Sequence, residues 1–176
     1  MRLPKTEHSA APAAMTTEEK ELIEMIRNAF ACVRLEDGVS LNMTEYFDSS
    51  GCMPELKERA SCDERDDWQA IPDETLERFL VTFSFTDLKG YRFYIPAYMI
   101  WVIRNQATSS SALVDFTIFA IDPSHHLFET TPFLKWFSSS QVAAMMAFLE
   151  YMNDDFAREN LSKIRDTQKS GSSSPG

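Results

Sequence analysis

The chain has 176 residues, of which 44% are hydrophobic and 25% charged, the length and composition of one globular domain with short appendages. At this size a fold hides roughly 68–70% of the surface that the unfolded chain exposes, so neither a metal nor a disulfide is needed to hold a core. Seventeen basic residues stand against 27 acidic ones, a net charge of −10, which argues against nucleic acid and anionic membrane surfaces as partners, because both demand Lys and Arg.

Residues 1–15 are rich in Ala and Pro, show no helical or strand period, and read as a disordered extension. They contain no apolar run of signal-peptide length. The first helix is announced by Thr16 and Glu19, a capping box in which hydroxyl and carboxylate satisfy free N–H groups. Leu22, Ile26, Ala29, Phe30 and Val33 then recur at helical spacing as one buried stripe. Asp37-Gly38 closes the segment as a turn. Residues 39–72 carry weaker signals: Val39 and Leu41 alternate briefly, and Pro54 opens a short helix through about Ala60. Asp63, Glu64, Asp66 and Asp67 form a charged stretch before Trp68, with Arg59 four residues ahead of Asp63 as in a surface ion pair. Asp73 reads as an N-cap for a helical face of Leu76, Phe79, Leu80 and Phe83.

Asp87-Leu88-Lys89-Gly90 reads as a turn. Beyond it, Tyr91 to Asn105 is expected as a helix with Pro96 near its first turn, apolar on nearly all sides and therefore central to the core. Residues 111–122 fit a strand through Val114, Phe116 and Ile118, or a helix through Val114, Ile118 and Ile121; the helix is preferred. Ser138 and Gln141 form a second capping box, and Val142, Met145, Leu149 and Met152 make its stripe, which extends through Phe156, Leu161 and Ile164. Residues 167–176 read as a flexible tail. The expected architecture is one globular domain over 16–166, mainly α with five or six helices; the alternative is α+β with a short β-hairpin.

The acidity is local. Residues 15–87 hold eighteen acidic and seven basic side chains, a net of −11, whereas the rest is close to neutral. Cys32, Cys52 and Cys62 are odd in number and widely spaced, so they describe no disulfide framework and no zinc site. Free thiols without a secretory leader point to the cytoplasm, where the sequons at Asn42 and Asn160 carry no meaning. No stretch reaches the roughly 18 apolar residues of a membrane span. Only Gly38, Gly51 and Gly90 lie inside the folded region, too dispersed for a phosphate-cradling loop.

Three groups of residues are candidate sites. Asp63, Glu64, Asp66 and Asp67 lack the spaced ligands and central glycine of a calcium loop and read as a solvated face for a basic protein partner, with Trp68 as its aromatic member. Arg92 and Arg104 are charges in an apolar neighbourhood. Each needs a partner, Asp87 or Asp115, or else joins Tyr94 and Tyr98 in an anion-binding pocket. His125 and His126 are adjacent, point in different directions and make a poor chelate. No residue is assigned a catalytic or metal-binding role, and no cofactor is implied.

The segment YRFYIPAYMIWVIRN, Tyr91 to Asn105, resembles the core helix of a bacterial domain family of unknown function. Asp67-Trp68 with Ile71-Pro72-Asp73, Val114-Asp115 with Thr117-Ile118, Asp122-Pro123 and the helix from Ser138 to Met152 extend the likeness over about residues 16–152. The resemblance implies no activity and no catalytic residues. Charge and motifs together point to a non-catalytic binding module, immunity- or inhibitor-like, whose acidic half meets a basic partner. The alternative is a small enzyme or anion-ligand binder that uses Arg92, Tyr94, Tyr98 and His125. Whether the chain is an enzyme, and its oligomeric state, stay open at this level.

Overall fold

A computed structural model describes residues 14–107 and 111–172, with the side chains of the last two left aside. The extension read at 1–15 falls almost wholly outside them. The described residues form ten α-helices and three short 3-10 turns and contain no strand, so the fold is mainly helical and the β-hairpin alternative is set aside. The helices are α1 (Thr17–Phe30), α2 (Leu41–Asp48), α3 (Pro54–Arg59), α4 (Asp73–Arg78), α5 (Thr82–Phe85), α6 (Leu88–Asn105), α7 (Leu113–Ala120), α8 (Phe133–Trp136), α9 (Ser139–Met152) and α10 (Asp155–Ser172).

Ten helices replace the expected five or six for local reasons. Helices α2 and α8 run only eight and four residues, too short for a 3.6-residue stripe to show. The apolar face from Leu76 to Phe83 is broken at Phe79 into α4 and α5. The long C-terminal stripe is broken at Asn153, whose backbone is left-handed (φ 50°), a conformation asparagine tolerates at a helix end. Helix α10 runs to Ser172, six residues into the segment read as a tail.

Both capping boxes form: Thr16 with Glu19, and Ser138 with Gln141. Glu19 also accepts the Tyr151 hydroxyl at 2.7 Å, so the cap of α1 is tied to α9. Two start positions differ from expectation. Asp73 is the first residue of α4, and Pro72 is its N-cap. Helix α6 begins at Leu88 on an Asp87 cap, which puts Pro96 in mid-helix. There the Arg92 carbonyl has no N–H to accept.

Helix α6 is the axis of the core. Every residue from Phe93 to Ile103 is buried. Helices α1, α4 and α7 and the turn Trp68–Ala70 lie against it; α9 packs on α1, and α10 on α9 and α7. Tyr91 donates to the Ala120 carbonyl at 2.7 Å, which fastens α6 to the end of α7. Gly90 lets the first turn of α6 approach the chain before α2, because a Cβ there would lie 2.0 Å from Thr86 Oγ1 and 2.6 Å from the Val39 carbonyl.

Candidate functional site

Helices α2 to α4 and the loop through residues 63–72 surround a cleft of about 480 Å³, with Tyr94 of α6 in its lining. Its polar lining includes Asn42, Arg59, Asp63, Glu64 and Arg78, and its apolar wall includes Ile71, Pro72 and Phe79.

Asp63 holds the mouth of α2. Its carboxylate accepts the Asn42 backbone N–H at 2.9 Å and the Asn42 side-chain amide at 2.5 Å. Helix α2 needs this help, since its N-cap Ser40 makes no side-chain capping bond. Glu64 folds the next turn: one oxygen accepts the backbone N–H groups of Arg65 (3.0 Å), Asp66 (2.8 Å) and Asp67 (3.0 Å). The Asp67 and Asp66 N–H groups hold its carboxyl below the usual range, against a smaller desolvation that opposes them. Asp67 in turn caps the Trp68–Ala70 turn by accepting the Gln69 N–H at 2.9 Å. Asp66 faces Arg34 in solvent at 3.3 Å.

The cluster therefore does not present four free carboxylates. Three of them hold backbone N–H groups, and only Asp66 is left to pair outward. Trp68 is a core residue rather than a surface aromatic: it is 2% exposed, and its indole N–H donates to the Phe30 carbonyl at 2.9 Å. Arg59 and Asp63 form no ion pair. Helix α3 ends at Arg59 and tightens into a 3-10 turn, so the four-residue spacing no longer stacks the two side chains.

The residues expected around an anion pocket are separated by the helix that carries them. Tyr94 and Tyr98 share a face of α6, one turn apart. Tyr98 donates to the Phe79 carbonyl at 2.7 Å and lies 2.8 Å from the Thr82 hydroxyl. Arg92 points elsewhere, its guanidinium 4.7 Å from the Trp136 ring, and neither Asp87 nor Asp115 pairs with it. Asp87 instead accepts the N–H groups of Val39 and Gly90. Arg104 is exposed and lies 3.8 Å from Asp73. Of the four, only Tyr94 lines the large cleft.

Tyr94 is 1% exposed, and its hydroxyl makes no hydrogen bond among the described residues. Burial, followed by the negative charge of Asp63, pushes the phenol far above its ordinary range. The Leu41 backbone N–H eases the charged form slightly without closing a bond. The buried Asn42 Oδ1 is likewise without a donor. Asn42, Arg78 and Thr75 carried no site signal in the sequence. In the sequence Asn42 stands only as a sequon, whereas its side chain faces Asp63. The second sequon residue, Asn160, is buried and donates to the Ile118 carbonyl at 3.0 Å.

His125 and His126 stack with ring centres 4.3 Å apart. Burial, and then the charge of His126, pull the His125 pKa down to about 4, with Asp122 opposing. Among the described residues no three His, Cys, Asp or Glu side chains gather to hold a metal, and no helix is long and apolar enough to cross a membrane. Cys32, Cys52 and Cys62 are all free and exposed.

Fold and site together define a small, mainly helical domain built on one buried helix, with a cleft of mixed charge on its flank. A family model matches residues 18–169, and the chain belongs to that family, DUF6714, a family of unknown function. No curated protein and no solved structure matches the chain.

Proposed function

We propose that the protein is a cytosolic binding module that engages a basic protein surface, and that α1 and α9, rather than the loop 63–67, supply the contact. The carrying observation is a groove of about 280 Å³ between these helices. Glu18, Glu21 and Glu150 stand around it, and Leu22, Met25, Ala147 and Tyr151 form the rest of its lining. Among the described residues Glu18 and Glu21 make no ion pair, and Met25 is 47% exposed. Arg165 meets Glu150 at 2.5 Å, so the free negative charge lies on the α1 side. Unpaired carboxylates around an apolar centre suit a segment whose Lys or Arg side chains lay their methylene stems on Met25 and their charged ends on the glutamates. Exposed free thiols accord with a reducing compartment.

The test is a titration of isotope-labelled protein with an amphipathic peptide that carries Lys and Arg beside Leu. The amide shifts should concentrate on α1 and α9, and affinity should fall steeply with salt. The double change Glu18→Gln with Glu21→Gln should weaken binding at least about tenfold. Shifts spread over the whole surface, or binding insensitive to the double change, would refute the assignment.

A further inference from the structure

We infer that the cleft over Tyr94 binds a small zwitterion, an amino acid with an apolar side chain. The argument begins with two buried atoms that have no partner. Tyr94 is almost fully buried, lines the cleft, and has a phenolic proton with no acceptor. Asn42 gives its amide N–H to Asp63. An ionised carboxylate only accepts, so the amide must turn its nitrogen to Asp63, which leaves Oδ1 as the unmet acceptor. Leaving a buried polar atom unpaired is costly, and a ligand that pairs both atoms recovers that cost. One atom asks for an acceptor and the other for a donor.

Charge narrows the ligand. Arg59 lines the cleft and makes no ion pair among the described residues, whereas Arg78 is already held by Glu45 at 2.8 Å. Asp63 and Glu64 line the same cleft. A plain anion would meet those two carboxylates and leave Asn42 Oδ1 unmet. A plain cation would meet two arginines. A zwitterion satisfies the set: its ammonium donates to Asn42 Oδ1 beside Asp63, and its carboxylate accepts from the Tyr94 hydroxyl and from Arg59. The volume, about 480 Å³, falls in the range of small-molecule sites and exceeds what an ammonium and a carboxylate fill. Ile71, Pro72 and Phe79 give the remaining space an apolar wall. This site is separate from the α1–α9 groove and does not depend on it.

Calorimetric titration with L-leucine and with L-phenylalanine tests the inference. At least one should bind with a dissociation constant below about 1 mM. N-acetyl-L-phenylalanine and L-phenylalaninamide, with N-acetyl-L-leucine and L-leucinamide, lack one charge each and should bind at least about tenfold more weakly than the parent. Tyr94→Phe removes only an unbonded hydroxyl, so the fold should persist while affinity falls at least about tenfold. Arg59→Gln, at an exposed and unpaired position, should do the same, and Glu129→Gln, exposed and outside both the cleft and the groove, should leave affinity unchanged. Should neither amino acid bind at about 10 mM, a dissociation constant corresponding to less than 3 kcal/mol of binding, the inference fails. It fails equally if the capped analogues match the parent, or if Arg59→Gln has no effect.

Discussion

The indole N–H of Trp68 donates to the main-chain carbonyl of Phe30, 38 positions away, at 2.9 Å. This bond joins the acidic loop to the end of α1 and seats a large ring on the face of the core helix. Replacing Trp68 by Ala should cost about 3–5 kcal/mol through lost burial and the cavity left behind. Trp68→Phe should cost less, about 1–2 kcal/mol, because Phe30 keeps the Val33 N–H as a second donor. Urea denaturation of both variants checks the order. Were Trp68 a surface contact, neither would move the midpoint.

Glu64 closes its loop by accepting three backbone N–H groups. Glu64→Ala should cost about 1–2 kcal/mol, as loss of a cap does. Glu64→Gln should cost less, since its carbonyl oxygen still accepts. The native pKa lies below the ordinary value, so this stabilisation is present above about pH 4.5 and fades as the pH falls through the native value. Melting curves at pH 7 and pH 3.5 should show the gap between wild type and Glu64→Gln narrowing in acid.

His125 acts in a higher window. Its native pKa is near 4, against 6.5 for an unperturbed histidine. Between these values the unfolded chain takes up a proton that the native state refuses. The His125 contribution is therefore complete above pH 6.5 and is lost on descent towards pH 4. With the ring only partly buried, screening reduces the effect to about 1–2 kcal/mol. His125→Gln should flatten the stability profile between pH 6.5 and 4.5, above the range where the carboxylates titrate. An unchanged profile would show that His125 titrates normally.

Gly90 has no room for a methyl group, with the Val39 carbonyl and the Thr86 hydroxyl both inside contact distance of a Cβ. Gly90→Ala should cost about 1–3 kcal/mol by overpacking, although alanine is the better helix former. Gain of stability in a thermal melt would mean that α6 and the segment before α2 do not meet closely.

Legibility followed the range of the interactions. Thr16 with Glu19 and Ser138 with Gln141 lie three residues apart, so the chemistry that starts α1 and α9 is contained in one turn. The all-round apolar run after Tyr91 likewise announces a buried helix, wherever its neighbours come from. The site was legible only in fragments. Along the chain Asp63 and Glu64 belong to one candidate group and Tyr94 to another, each with a different expected role.

The amino-acid order alone decided the helical class, the central helix, the two capped starts and the concentration of acid before residue 88, because each depends on neighbours along the chain. Packing decided the rest. Asp63 and Asn42 meet across 21 residues, and Tyr94 reaches the same cleft from another helix. Arg92 and Tyr94, two positions apart, turn to different sides because successive helical residues rotate by about 100°. Whether a carboxylate faces water or a backbone N–H is decided by the segment that folds against it, and no local pattern records that choice.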